Sequence, residues 1–267
     1  MRRSLFIPFV RGTIALLGLL FSSACFSREA ALEIRQGDHI SIIGNTLAER
    51  LQYFGRFETL LHARFPGHQL VVRNLGYSAD EIVFRSRSLN WGSADDHLSM
   101  AQSDVLLAFF GFNESFAGPE GLERFKTDLA EFIEHTRDRR YNGESTPRLA
   151  LISPIAHEDL GNPNLPDGTA NNQNLELYTR AMAEIAHDHE VPFVDLFEPS
   201  RDRMKNSSQP LTINGVHLSE AGYAEMAPLL DQALFGSHPN LEAVAAELRA
   251  EINEKNLFFF HRYRAVN

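Results

Sequence analysis

The chain has 267 residues, a single cysteine and a formal net charge of −10 at pH 7. Such an excess of acids repels phosphate backbones, so we do not expect a nucleic acid as partner. One cysteine excludes an internal disulfide and a thiolate metal cluster, so the fold must depend on its hydrophobic core.

The first 24 residues have the organisation of a secretory signal peptide. Three arginines precede an apolar run over residues 13–21, and small residues occupy positions 22–24. The apolar run is too short to span a bilayer comfortably, so we expect an exported protein, periplasmic or extracellular, without a stable membrane span. Cleavage after Ala24 would leave Cys25 first and allow a lipid anchor there, although plain secretion is the favoured interpretation.

Short apolar segments alternate with longer amphipathic ones in the rest of the chain. Strands are predicted over residues 39–43, 69–72, 104–110, 149–152 and 192–194, and helices over 47–64, 120–137, 172–187 and 219–234. Continuous apolar strands that alternate with helices predict an α/β fold whose parallel sheet is covered on both faces. Such sheets bind ligands at the carboxyl ends of their strands.

The C-terminal part predicts an amphipathic helix over residues 241–256, followed by an aromatic run at 257–263. This tail could pack on the domain, dock a partner or continue in a longer protein. We therefore divide the chain into a signal peptide (1–24), one α/β domain (25–235) and a C-terminal helix with an aromatic tail (236–267).

Polar and glycine residues stand directly after the predicted strands. They are Gly44-Asn45-Thr46, Gly76, Asn113 and, before the last helix of the domain, Asn214-x-x-His217. In order and approximate spacing these blocks resemble the four signature blocks of the SGNH (GDSL-type) hydrolases, over residues 38–234. The resemblance implies a three-layer α/β/α sandwich of the flavodoxin-like kind with a five-stranded parallel sheet.

The resemblance also implies a role for each block in ester hydrolysis. Thr46 stands where the family has its nucleophilic serine, His217 is the general base, and Asn214 occupies the place of the acid. The Gly76 amide and the Asn113 side chain would donate hydrogen bonds to the oxyanion. An imidazole suits the base because its pKa is near neutrality, and preorganised donors stabilise the charge that develops on the carbonyl oxygen.

Two positions depart from the family pattern. The methyl group of Thr46 restricts χ1 and crowds the path of attack. Asn214 replaces a carboxylate that normally orients the histidine, so Asp195 or Glu114 are candidates to substitute for it, as judged by position alone. Some members of the family work as histidine–serine dyads, so the loss of the acid is compatible with turnover.

The function that the resemblance implies is hydrolysis of a small-molecule or glycan ester, with an O-acetylated glycan as the first substrate class and with no metal or cofactor. The alternative is a catalytically degenerate domain that binds carbohydrate or another ligand. A third possibility is an interaction role for the aromatic tail.

Several of these residues also have ordinary interpretations. Thr46 could be the N-cap of the first helix, and Ser78 with Glu81 has the spacing of a capping box. The cluster at 187–189 is more typical of a helix end than of a metal site.

Two further groups keep open alternatives. Residues 157–159 (His-Glu-Asp) could line the site, supply a carboxylate or form a solvated loop. Arg85, Arg87 and Trp91 suit sugar stacking or carboxylate binding, or are simply surface residues.

Overall fold

A computed structural model describes residues 32–238 and 246–263. Five parallel strands form one sheet in the order β2-β1-β3-β4-β5, with helices on both faces, as predicted. The strands are β1 (His39–Gly44), β2 (Val71–Asn74), β3 (Val105–Phe109), β4 (Arg148–Ile152) and β5 (Phe193–Val194). The predicted signal peptide and Cys25 lie outside the described residues.

The helices, in chain order, are α1 (Thr46–Phe54), α2 (Arg56–Arg64), α3 (Ala94–Met100), α4 (Leu122–Arg137), α5 (Thr169–Asp188), α6 (Phe197–Asn206), α7 (Glu220–Phe235) and α8 (Ala246–Tyr263). A 3₁₀ segment (Glu114–Gly121) precedes α4. None of the helices in the described part of the chain is long and apolar enough to cross a membrane.

The two faces of the sheet bury different side chains of the same strands. In β3, Val105, Leu107 and Phe109 face α1, α2 and α7, whereas Leu106 and Ala108 face α3, α4 and α5. Every residue of β3 is buried, since the central strand of a parallel sheet is covered on both faces. The carboxyl ends of β1, β3 and β4 therefore meet at one well-supported edge.

Three local expectations were wrong in detail. The predicted helix at 47–64 is two helices, because Gly55 adopts a φ of 59° between them. Strand β2 lies two residues later than predicted, since Gln69 has a φ of 54° before it. No helix begins at Ser78, so that capping box does not exist; Ser93 and Asp96 form one at the start of α3.

Helices α3 and α6 were missed because their sequences are short and polar. In α3 only Leu98 is buried, and in α6 only Phe197 and Ser200 are. A helix with so few buried side chains leaves no apolar period for sequence analysis to detect.

The aromatic tail packs back on the domain as far as residue 263. It forms one helix, α8, in which Lys255 Nζ donates to Glu58, and Asn256 Nδ2 donates to Glu58 Oε2 (3.1 Å). The Tyr263 hydroxyl donates to the Leu75 carbonyl (3.3 Å) at the end of β2. Helix α8 thus lies beside the edge strand β2, and residues 264–267 lie outside the described residues.

Candidate active site at the carboxyl ends of β1 and β3

Thr46 lies at the point where β1 turns into α1. Gly44 ends the strand with a φ of 119°, and a Cβ there would lie 2.0 Å from the Phe109 carbonyl oxygen, so the close approach of β1 to β3 requires glycine. The N-cap of α1 is Asn45, not Thr46, because Asn45 Oδ1 accepts from the Leu47 amide (3.0 Å). The Thr46 hydroxyl makes no hydrogen bond to any described residue, so it is free for other chemistry.

His217 is held by the side chain of Asn214. The amide oxygen of Asn214 accepts from the His217 backbone N–H (3.0 Å) and lies 3.1 Å from His217 Nδ1, while its amide nitrogen lies 2.9 Å from the same ring atom. Oδ1 can accept from a protonated Nδ1, or Nδ2 can donate to a bare one. Asn214 therefore occupies the position of an orienting acid and permits both neutral tautomers.

The loop that carries this pair is supported by Glu158, which lies in the connection between β4 and α5. Its carboxylate accepts from the Leu211 amide (3.0 Å), the Thr212 amide (2.7 Å) and the Thr212 hydroxyl (2.6 Å). The Glu158 N–H donates to the Gly215 carbonyl (2.8 Å). Glu158 thus positions the His217 loop rather than supplying a carboxylate to the imidazole.

The environment of His217 favours the neutral imidazole. Burial, and to a smaller extent the positive charge of Arg50, lower the pKa of His217 below its ordinary value, and Glu49 acts in the opposite direction. Arg50 lies one turn after Thr46 on α1, and its Nη2 donates to the Leu218 carbonyl (3.4 Å). At neutral pH the ring is therefore able to accept a proton.

Thr46 and His217 line the same narrow cleft. The cleft has a volume of about 20 Å³, measured as the space open to the centre of a water molecule. On the same measure a single water needs on the order of 10–15 Å³. Its walls are formed by residues from the ends of β1, β3 and β4 and from the His217 loop: Asn45, Thr46, Leu47, Phe112, Pro154, Ile155, Val216 and His217.

The two predicted oxyanion donors lie in the neighbouring loops, and both are engaged there. The Gly76 amide donates to Asn74 Oδ1 (3.0 Å), and a Cβ on Gly76 would lie 2.7 Å from the Glu49 backbone nitrogen. Asn113 Nδ2 donates to the Asp80 carbonyl (3.1 Å), which leaves its second N–H available. The geometry brings Thr46, Asn214 and His217 together but does not place Gly76 or Asn113 on the cleft wall.

Neither carboxylate suggested as a substitute acid reaches His217. Asp195 Oδ1 accepts from the Phe197 amide (2.7 Å) at the start of α6. Glu114 accepts from the amides of Ile82 (3.0 Å) and Gly111 (2.9 Å). Both expectations based on position were wrong, because the two side chains satisfy nearby backbone amides instead.

Sequence reasoning missed three residues of this site. Asn45 lines the cleft, and its amide nitrogen has no hydrogen-bond partner among the described residues. Phe112 forms a wall, and Arg50 acts on the charge state of His217. The capping preference of asparagine before a helix was the signal that could have identified Asn45.

The segment at 187–189 closes α5, and within the described residues no group of three histidine, cysteine or acidic side chains could hold a metal ion. His157 packs instead against Gly168 and Gly215, where a Cβ would lie 2.8 and 2.5 Å from its ring. Asn171 Nδ2 lies 3.0 Å from its Nδ1. His157 therefore joins the start of α5 to the His217 loop.

Solved structures with a similar fold include an acetylxylan esterase and an α/β hydrolase. The acetylxylan esterase Axe2 from Geobacillus stearothermophilus matches with a TM-score of 0.58 and 18% identity over 75% of this chain and 95% of its own. LAE5, an α/β hydrolase from the metagenome of Lake Arreo, matches with a TM-score of 0.56 and 17% identity over 76% of this chain and 98% of its own.

BT4096, a gut microbial diltiazem-metabolizing enzyme, matches with a TM-score of 0.57 and 18% identity over 76% of this chain. The match covers 48% of BT4096, so this chain spans about half the length of that protein. No protein with a curated description is detectably similar in sequence. Residues 37–225 match the sequence model of the GDSL-like lipase/acylhydrolase family, and the chain therefore belongs to this family.

Proposed function

We propose that this protein hydrolyses small esters, with Thr46 as the nucleophile and His217 as the general base. The observation that carries the proposal is the shared cleft, which both Thr46 and His217 line. The Thr46 hydroxyl has no hydrogen-bond partner among the described residues, and burial favours the neutral form of the half-buried imidazole. Family membership supports an acylhydrolase activity.

The reaction proceeds in two steps. Thr46 Oγ1 attacks the ester carbonyl while His217 Nε2 takes its proton, and the alcohol leaves with that proton from the imidazolium. Water then attacks the acyl-threonine with His217 again as the base, which releases the acid and restores the hydroxyl. Nε2 can accept only when Nδ1 carries the hydrogen and donates to Asn214 Oδ1.

Three donors are suited to the oxyanion. The start of α1 presents the Thr46 backbone N–H with the positive end of the helix dipole, and the free amide nitrogen of Asn45 lines the same cleft. The Asn113 side chain keeps one N–H for this role. Each of these three donors contributes about 3 kcal/mol, whereas the Gly76 amide is engaged by Asn74 Oδ1.

The size of the cleft favours a short acyl group such as acetyl. The alcohol side is open at Phe116, whose side chain is 63% exposed and packs edge-on against Phe112 at 5.4 Å. An exposed aromatic face suits a sugar ring, so an acetylated glycan is the substrate class that we propose. The structural neighbour Axe2 is an acetylxylan esterase, and its histidine and aspartate catalytic mutants lie three positions apart, as His217 and Asn214 do.

We further propose that the protein is exported, on the strength of the order of residues 1–24. A lipid anchor at Cys25 and soluble secretion are both compatible with that order.

The second candidate is a binding domain that keeps the cleft without turnover, and one observation favours it. If Asn214 Nδ2 donates to His217 Nδ1 (2.9 Å), the proton resides on Nε2, and the ring cannot act as a base towards Thr46. The ¹⁵N chemical shifts of the ring nitrogens separate the tautomers: hydrogen on Nδ1 supports the hydrolase, and hydrogen on Nε2 supports the binding domain.

The decisive measurement is hydrolysis of 4-nitrophenyl acetate by the wild type, Thr46→Ala and Thr46→Ser. We expect Thr46→Ala to reduce kcat by at least about 10³-fold, and Thr46→Ser to retain or exceed wild-type activity because the crowding methyl is gone. Thr127→Ala, which removes an exposed hydroxyl from α4, is the matched control.

Unchanged turnover in Thr46→Ala would rule out this nucleophile. An inactive wild type together with an active Thr46→Ser would favour the binding domain. A 4-nitrophenyl butyrate comparison tests the small cleft, for which we expect a preference for acetate of about tenfold or more.

A further inference from the structure

A second concave region lies beside the loop that follows β2. On the same measure its volume is about 160 Å³, about eight times that of the Thr46 cleft. Trp91, His97 and Tyr263 form an aromatic wall, with Trp91 and Tyr263 packed edge to face at 5.2 Å. Arg85 lines this cavity and also a wider neighbouring one near α4.

Arg85 is a cation without a counter-ion among the described residues. Among the described residues its one hydrogen bond is a long one, from Nε to the Glu81 carbonyl (3.4 Å). Its guanidinium lies 5.4 Å from the centre of the Phe110 ring. Burial lowers the pKa of Arg85. No residue in the described part of the chain accepts a hydrogen bond from the terminal nitrogens of Arg85, which lines the cavity.

The acids close enough to act on Arg85 are held by other partners. Asp80 receives two hydrogen bonds of 2.7 Å from Arg87. Asp95 accepts from the Tyr141 hydroxyl (2.7 Å) and from His135 (2.9 Å). The charges of both acids act on Arg85, but neither acid forms an ion pair or hydrogen bond with it among the described residues. A partly desolvated charge without a direct partner lowers stability until an anion binds it.

We propose that the cavity bordered by Arg85 and Trp91 binds a small organic carboxylate with a ring-shaped body. A planar guanidinium matches a carboxylate in a bidentate geometry. Arg85 and Arg87 line the cavity with Asp80, which is paired with Arg87, so one positive charge is left for a ligand. This favours a monovalent anion, since a divalent one would leave excess negative charge beside Asp80. The aromatic wall accommodates the body of the ligand, and this site is independent of the proposed ester hydrolysis.

Trp91 is the single tryptophan of the chain, so its fluorescence reports on this cavity alone. We expect D-glucuronate to change that fluorescence saturably, and its neutral counterpart D-glucuronamide to bind at least about tenfold more weakly. Arg85→Gln should weaken D-glucuronate binding by about tenfold or more. Arg85→Lys should weaken it by less, because a lysine keeps the charge but cannot donate the two parallel hydrogen bonds of a guanidinium. Arg124→Gln, which changes an 80% exposed arginine, should leave binding unchanged.

A thermal measurement without ligand distinguishes a binding residue from a structural one. Arg85→Met removes an unpaired charge, so we expect the Tm to rise by about 2–4 °C. A fall in Tm would show that the guanidinium supports the fold and would overturn the proposal. So would the absence of saturation up to about 10 mM D-glucuronate, equal binding of D-glucuronamide, or tighter binding of inorganic phosphate.

Discussion

The Thr46 cleft and the Arg85 cavity lie at the same edge of the sheet but differ in the charge of their central side chains. In the cleft, burial and Arg50 keep His217 neutral, and an amide stands where an acid is expected. In the cavity, a guanidinium stays charged while the nearby acids are bound elsewhere. The difference teaches that burial without a partner suits a neutral base for proton transfer, whereas a fixed charge suits the binding of an anion.

Two residues connect these regions. The Asp80 carbonyl accepts from Asn113 while the Asp80 carboxylate binds Arg87 on the cavity side. Glu114 joins the amide of Gly111, at the end of β3, to that of Ile82, in the cavity loop. A change at Asp80 or Glu114 is therefore expected to affect both regions.

The largest expected effect sharpens the contrast at the cleft. Asn214→Asp supplies a carboxylate that fixes hydrogen on Nδ1 of His217 and stabilises the imidazolium. In serine proteases the reverse change costs about 10⁴ in rate, so we expect kcat for an aryl acetate to rise by about 10²-fold or more. Asn206→Asp, at the exposed end of α6, adds the same charge elsewhere and should have no effect. An unchanged kcat in Asn214→Asp would show that the amide does not limit the reaction.

The next effect concerns the connection between the regions. Burial raises the pKa of Glu114 to about 7 from an ordinary value of 4.5. The folded state therefore binds the proton more tightly than the unfolded state does. The contribution of this proton to the free energy of unfolding is fully present below pH 4.5 and is lost as the pH rises through 7. Glutamine does not titrate. Between pH 5 and 8 the free energy of unfolding of the wild type should therefore fall by at most about 3 kcal/mol relative to that of Glu114→Gln.

Urea unfolding of both proteins across this pH range measures the difference. Glu131→Gln replaces an exposed carboxyl on α4 and serves as the control. Parallel stability curves for wild type and Glu114→Gln would mean that Glu114 is ionised in the fold at all these pH values.

The smallest effect tests the role of Arg50. Its positive charge lowers the pKa of His217, so Arg50→Gln should raise that pKa and move the acid limb of kcat/KM to higher pH. Activity should then fall at pH 6 and stay near the wild-type value at pH 8. Arg124→Gln is the control, and a limb that shifts to lower pH in Arg50→Gln would contradict the assignment.

The sequence predicted more of the sheet than of the loops around it. Buried runs such as 149–152 identified the strands, and their order along the chain predicted the parallel arrangement. The polar helices α3 and α6 lacked an apolar period, and the left-handed Gly55 was hidden within an amphipathic segment. Ser78 shows the opposite error, because it has the spacing of a cap but donates to Glu49 on α1.

By itself, the sequence determined the α/β alternation, the position of Thr46 after the first strand and the position of Asn214 and His217 before the last helix of the domain. Hydrophobic period and turn chemistry are local properties, which is why the sequence determines them. Only the tertiary structure decided that Asn45 caps α1, that Glu158 supports the His217 loop and that Arg85 has no counter-ion among the described residues. Hydrogen-bond partners are chosen among residues that are distant in the chain and meet only when the sheet assembles. The acids near Arg85 illustrate this reason. Asp80 pairs with Arg87 and Asp95 with Tyr141, and neither pairs with Arg85, which the sequence alone could not show.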